Sequence, residues 1–379
     1  MYRKSSAFLE DIVHKNIHRY WWKEDISLVI VSHILPDKWD FIKILSKFFT
    51  IEYIIPKPKS IDPHTLEKMK HEYNIWHITR EEIYHNRDFV IDMFHAINHQ
   101  IIIIDIGGYF AHILETLEKT CNQKIIWVIE DTENWYQKYE KIMHRISTPI
   151  ISVARSTLKQ WEDFLVGQSV VFSTDYVLRW NNILLHNKYA GIIWFWKIGK
   201  SIAMELKWKN IQLWINDINP YKWIEILTYG YNFLDTSELF TRSDIIFLAT
   251  WNFSLQWKDF EQLKNGVIIA SVTSSDDELD IQYLKTHYTH EVLNAYTTRY
   301  TKNWKDIYVL YEWNAINFIN NAVVWEFIYL VQAEIIHAIF SLMQISKTSW
   351  INIKNNYIQI IEDAEKIYIP QCWLQYFNN

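Results

Sequence analysis

The residues best placed to do chemistry form a turn, Trp194-Phe195-Trp196-Lys197-Ile198-Gly199, between an apolar run and a helical one. A dinucleotide-binding turn sits in such a strand–turn–helix unit and reads G-x-G-x-x-G. Gly199 supplies the third glycine, but tryptophans fill the first two slots. The first glycine makes the tight turn and the second lets backbone amides approach a pyrophosphate. An indole does neither. Asp217 lies 18 residues beyond Gly199, ending the next apolar run, where a carboxylate binds an adenosine ribose. Alone, Asp217 reads equally well as a loop acid; placed after this turn it points to NAD. A second group, His33, Asp105, Glu130 and Asp131, follows three apolar runs of strand length in the N-terminal half. In a parallel sheet these residues share the edge where ligands bind.

The composition bears on the two tryptophans. The chain has 20 Trp and only 7 Gly in 379 residues. Together they reach the share, roughly 7%, that glycine alone has in ordinary proteins. Tryptophans also fall where glycine belongs. Trp304 stands in Asn303-Trp304-Lys305, before a strand-like run, and Trp251 follows the run Asp244–Ala249. Trp208 stands where a helix needs a left-handed residue to end it. The expectation is that many of these letters are glycine codons, UGA taken as Trp. The competing reading is true tryptophan in an aromatic-rich core.

At this length the chain should form two domains with large cores. A net charge of −6 with both signs interspersed excludes a basic nucleic-acid face. Two cysteines, Cys121 and Cys372, exclude a disulfide framework and fit a reducing compartment. The N-terminus lacks an apolar signal core, and no apolar run approaches the ~18–20 residues that span a bilayer. A cytoplasmic, soluble protein with no membrane contact is expected, and no metal is implied.

These groups must be positioned by alternating strands and helices, which imply parallel sheets covered on both faces. Strands are expected at 27–32, 50–55, 74–78, 100–105, 124–129 and 149–153, with a proline-marked loop at Pro56, Pro58 and Pro63. Two helices, 155–165 and 169–179, should precede a second α/β unit. Its strands are expected at 189–195, 211–215, 244–249, 266–271 and 307–311. The fold class is α/β: a flavodoxin-like or Rossmann-like substrate domain over 1–180, rejoined by 326–350, and a Rossmann NAD-binding domain over 181–325. Residues 351–379 form a tail.

With Trp read as Gly, the chain resembles the S-adenosylhomocysteine hydrolase family along nearly its whole length. Ile129-Glu130-Asp131-Thr132-Glu133-Asn134-Trp135 is similar to the family's E-E-T-T-T-G, and Ala249-Thr250-Trp251-Asn252 to its A-T-G-N. Leu255 to Gly266 tracks the helix before the fifth strand, and Asp276-Asp277-Glu278-Leu279-Asp280 resembles F-D-x-E-I-D. Lys302-Asn303-Trp304-Lys305 resembles K-N-G-R, and Tyr311 to Asn317 resembles A-E-G-R-L-V-N. The resemblance implies a hydrolase of S-adenosylhomocysteine or a related thioether nucleoside that keeps NAD through its cycle. Such enzymes oxidise the ribose 3′-hydroxyl, acidify the 4′-proton, eliminate homocysteine, add water and reduce the ketone back.

Carried over residue by residue, Lys159 and Asp163 match the pair that reaches the substrate ribose, though at i, i+4 they could equally form a surface ion pair. His33 matches the histidine after the first strand, and Asp131 the second acid of E-E-T. Thr132 and Asn134 match positions that touch NAD. Trp194, Trp196, Lys197, Ile198 and Gly199 are the turn, Asp217 the ribose acid, and Asn252 and Asn317 line the cofactor. Ile106 holds the slot of the catalytic aspartate, Ala154 and Phe164 those of two asparagines, and Ser274 that of a histidine. Val323 and Val324 fall near a further family histidine. The tail lacks the family's lysine that enters a neighbouring protomer, so a homo-oligomer is weakly implied. Two other readings stay open: an NAD-binding relative without catalysis, and a 2-hydroxyacid-dehydrogenase-like oxidoreductase.

Overall fold

The computed structural model describes residues 2–19, 25–121, 124–250, 254–273, 278–320, 324–345 and 358–378. The chain divides into two compact units, Met1–Gln160 with Trp325–Asn379, and Trp161–Val324.

The first unit carries β1 (Ile26–Ile34), β2 (Thr50–Ile61), β3 (Gln100–Asp105), β4 (Ile125–Glu130) and β5 (Ile150–Ser152). They form a parallel sheet in the order β2-β1-β3-β4-β5. This is the doubly wound, flavodoxin-like order. Burial on both faces explains the uninterrupted isoleucines of β3. Ile102 and Ile104 enter a core with Leu28, Ile30 and the helices Tyr2–Arg19 and Ile328–Ile345. Ile101 and Ile103 enter the opposite core with Val29, Val31 and Phe94. The helix Tyr368–Phe377 also packs on the first core, through Ile369 and Cys372. The tail is thus part of this unit.

The second unit adds β6 (Tyr189–Ile193), β7 (Gln212–Asn216), β8 (Asn232–Phe233), β9 (Ile245–Leu248), β10 (Val267–Ser271), β11 (Thr289–Asn294), β12 (Thr297–Lys302) and β13 (Lys305–Leu310). The sheet order is β11-β12-β13-β10-β9-β6-β7-β8. Its six parallel strands from β8 to β13 follow the Rossmann order. The expected α/β class with two such sheets is therefore correct.

Several local expectations need correction. The proline segment is not a loop: β2 runs on through Pro56 and Pro58. β2 lies at the sheet edge, where a missing N–H is tolerated. Residues 74–78 make only a bridge, Ile54 to Ile75. The two helices expected around Gly167 are one, Thr157–Trp180. There Gly167 lets a neighbouring helix approach, since a Cβ would lie 2.4 Å from the Ser201 side chain. The antiparallel strands β11 and β12 were not expected, because β11 is largely exposed and carries no apolar run.

Candidate functional site

In the second unit the turn after β6 has the backbone of a dinucleotide-binding loop. Trp194 sits at φ +89 and donates its N–H to Asn216 O at 2.8 Å. Positive φ at a bulky residue is an outlier that glycine removes. Trp196 is the N-cap of the helix Lys197–Trp208. A Cβ on Gly199 would stand 2.0 Å from Trp194 O, so only glycine allows this helix to lie against the strand. Asp217 follows β7, nearly buried, and its carboxylate accepts the N–H groups of Phe195 and Asn219, each at 2.8 Å. It ties the turn to the second strand. Asn317 is buried, and its Oδ1 has no hydrogen-bond partner among the described residues.

The side chains at 194 and 196 do not share this fit. Trp196 is 38% exposed with the Lys222 ammonium 4.5 Å from its ring centroid. Trp194 packs partly against the second unit's core. The backbone fits a dinucleotide; two indoles do not. The hairpin between β12 and β13 repeats the pattern. Asn303 (φ 51) and Trp304 (φ 63) are its two central residues, and Trp304 is 97% exposed. Positive φ at both positions is a type I′ turn, which Asn-Gly prefers. Trp208 behaves otherwise: it is the last helical residue, and the left-handed position falls on Asn210 (φ 56).

Lys197 opens the helix and its Nζ lies 3.4 Å from Asp163 Oδ2, with both side chains mostly buried. Asp163 therefore meets the turn's own lysine. Ile198 is half-buried beside the second unit's core. Phe164 lends its carbonyl to Ser201 Oγ. Asn252 and Ser274 lie outside the described residues, as does Val323.

In the first unit the strand ends behave differently from one another. Asp105 is fully buried and consumed by structure. Its carboxylate accepts the N–H groups of Tyr109 (2.9 Å) and Phe110 (3.0 Å) and the Tyr139 hydroxyl (2.6 Å). Ile106, next to it, is buried as well. Glu130 is buried, accepts the Thr132 N–H, and burial pushes its carboxyl well above the usual range. Thr132 is the N-cap of the helix Glu133–Ile142, yet its buried Oγ1 makes no hydrogen bond among the described residues. Asn134 lies in the first turn of that helix. Ala154 is buried and its N–H is taken by Ser152 Oγ at 3.1 Å.

His33, Lys57, Asp131 and Lys159 gather electrostatically. His33 Nε2 lies 3.3 Å from Lys57 Nζ, and its Nδ1 contacts Ser60 Oγ. Burial first, then the charges of Lys57, Lys38 and Lys159, hold the His33 imidazole neutral, well below its ordinary range. Burial also lowers the Lys57 ammonium to about 8, with Asp131 and Asp105 opposing and Arg80 and Lys159 assisting. Lys57 and Ser60 join His33 in this cluster, and the sequence does not single them out. The one available signal is a lysine between two prolines past an apolar run.

Residues 167–323 match the model of the S-adenosyl-L-homocysteine hydrolase NAD-binding domain. An S-inosyl-L-homocysteine hydrolase from Methanopyrus kandleri is 25% identical over 63% of this chain and 56% of its own length. An adenosylhomocysteinase from Sulfolobus acidocaldarius is 25% identical over 58% of this chain and 53% of its own. The chain thus spans about half the length of these relatives. A dipicolinate synthase from Bacillus halodurans superposes with a TM-score of 0.46 at 10% identity, covering 83% of this chain and 98% of that one. Among the described residues no helix is long and apolar enough to cross a membrane.

Proposed function

We propose that this chain, whose residues 167–323 match the S-adenosyl-L-homocysteine hydrolase NAD-binding domain, is a divergent member of that family and hydrolyses a thioether nucleoside of the S-adenosylhomocysteine class. In the natural protein the letters at 194 and 196 are then glycine. The observation that carries this is the turn backbone: Trp194 at φ +89, with Gly199 packed under its carbonyl, is a glycine-loop conformation occupied by the wrong side chain. The Asn303-Trp304 hairpin supports it independently.

NAD would supply reversible hydride removal at the ribose 3′ carbon. Asp217 braces the turn from the second strand, and the unpaired Asn317 Oδ1 offers an acceptor to the bound cofactor. Lys159 and Asp163 would hold the ribose hydroxyls, with Lys197 orienting Asp163. Neutral His33 and Asp131 would flank the reacting ribose in the first unit, with His33 accepting a hydrogen bond. A cytoplasmic setting and a possible homo-oligomer go with this reading.

The test is the double variant Trp194→Gly/Trp196→Gly. It should retain stoichiometric NAD and release adenosine from S-adenosylhomocysteine, whereas the tryptophan form should retain none. A glycine form that binds no NAD overturns the reading, as does intact tryptophan at both positions in mass spectra of the natural protein. NAD bound without adenosine release favours a catalytically silent relative, which buried Ile106 and the structural use of Asp105 would explain.

A further inference from the structure

The pairing of β1 with β2 is regular until Ser32 opposite Pro56, and it resumes at Ile34 opposite Ile61. Four residues, 57–60, therefore face the single residue His33. Bulges of this kind bend a strand and re-aim its side chains. Pro56 and Pro58 fix φ on both sides of Lys57, so the arch is stiff. It closes on His33 from two directions. Lys57 Nζ meets Nε2, and Ser60 Oγ meets Nδ1 while donating to Lys57 O at 3.4 Å. With Lys57 protonated, Nε2 must accept. Nδ1–H then donates to Ser60, which completes a directed chain of hydrogen bonds.

We propose that Lys57 is the acid–base residue of the first unit's site, carrying the ribose proton that Ile106 cannot carry. The assignment rests on the hydrolase reading above. Three observations converge on it. Asp105, the acid beside Ile106, has its carboxylate committed to Tyr109, Phe110 and Tyr139. Lys57 is nearly buried, yet it stands among the strand-end charges of Asp131 and Asp105 and near Arg80 and Lys159. His33, held by Ser60 with Nε2 left as an acceptor, orients the Lys57 amino group. A lysine whose pKa lies at about 8 is close to the optimum for moving protons near neutrality.

The step balances without further reactants. On the 3′-keto ribose, the neutral Lys57 amine removes the 4′ proton. The C–H electron pair forms the C4′–C5′ double bond, the C5′–S bond breaks, and sulfur leaves as thiolate. The Lys57 ammonium then gives the proton to the thiolate, restoring the amine and releasing the thiol.

The experiment uses the full chain with glycine at 194 and 196, and compares Lys57→Ala and the nearly isosteric Lys57→Met with that parent. Bound NAD, NAD reduction on adding adenosine, solvent deuterium entry at the ribose 4′ position and turnover against pH are measured. Both variants should keep NAD and its reduction. They should lose deuterium entry and turnover by about 10²–10⁴-fold. The parent's rise in rate through about pH 8 should vanish with them. Methylamine should restore Lys57→Ala, which a purely structural lysine would not allow. Deuterium entry at the parent's rate in either folded variant overturns the assignment. A parent that binds no NAD or never reduces it fails before any Lys57 variant is compared. That result overturns the hydrolase reading and Lys57's role together.

Discussion

Asp105 and Glu130 end neighbouring strands, and both are buried carboxyls with raised proton affinity, but they differ in use. Asp105 gathers two backbone N–H groups and one hydroxyl, which stitch the loop after β3 to the helix Glu133–Ile142. Asp105→Ala should cost about 3 kcal/mol, because it strands three buried donors. Urea denaturation of the first unit reads this. Glu130 carries its raised pKa chiefly through burial. A group whose folded pKa lies above its unfolded value stabilises below the unfolded pKa, about 4.5 here, and loses that stability as pH rises through the folded pKa. Glu130→Gln should therefore flatten the fall in stability as pH rises above the ordinary value of 4.5. It keeps an acceptor for the Thr132 N–H. An unchanged pH profile in the variant would show that Glu130 is ionised throughout.

At the scale of elements, glycine geometry decides what packs. Gly167 lies within the helix Thr157–Trp180, where glycine usually weakens a helix. Its reason is the Ser201 side chain, which a Cβ would meet at 2.4 Å. Gly167→Ala should destabilise the second unit by about 1–3 kcal/mol through overpacking, despite the better helix propensity of alanine. A rise in thermal midpoint would contradict the contact. The hairpin tip gives the opposite sign. Trp304 is 97% exposed, so little burial is lost on removing it, and its φ of 63 suits glycine. Trp304→Gly should stabilise by about 1 kcal/mol. In a unit of this size that corresponds to roughly 2–4 °C in midpoint. This checks the glycine reading without any ligand.

At the scale of the molecule, the C-terminal segment completes the first unit. Lys366 and Glu334, almost fully buried, pair at 2.6 Å; Lys366 also reaches Ile361 O, and Ser156 Oγ donates to Glu334 at 2.6 Å. Nearby, Asn16 Nδ2 donates to the Tyr368 hydroxyl at 2.7 Å, and Asn16 Oδ1 meets His337. The tail is therefore bolted through polar contacts as well as through Ile369. Lys366→Met should cost about 3–5 kcal/mol, since it leaves Glu334 buried without its cation. Amide hydrogen exchange in β1–β5 should accelerate accordingly.

The α/β class, the strand ends and the glycine turn were legible in the residues themselves, because each depends on a short stretch of chain. An apolar run of five or six residues marks a buried strand, and a turn's backbone is set by a few neighbours. The Trp194 and Trp304 anomalies were visible for the same reason, as tryptophans where φ had to be positive. Non-local events could not be read this way. That Asp105 is spent on Tyr139, 34 residues away, follows from packing one helix over one strand end. That Asp163 turns to Lys197 follows from laying the helix Thr157–Trp180 beside the turn. The place of Lys57 depends wholly on strand register. Its prolines read as a loop, and only the edge position of β2 made them strand, with four residues arched against His33. Register and burial depend on partners distant in sequence, so the choice of which charges share a site belongs to the tertiary structure.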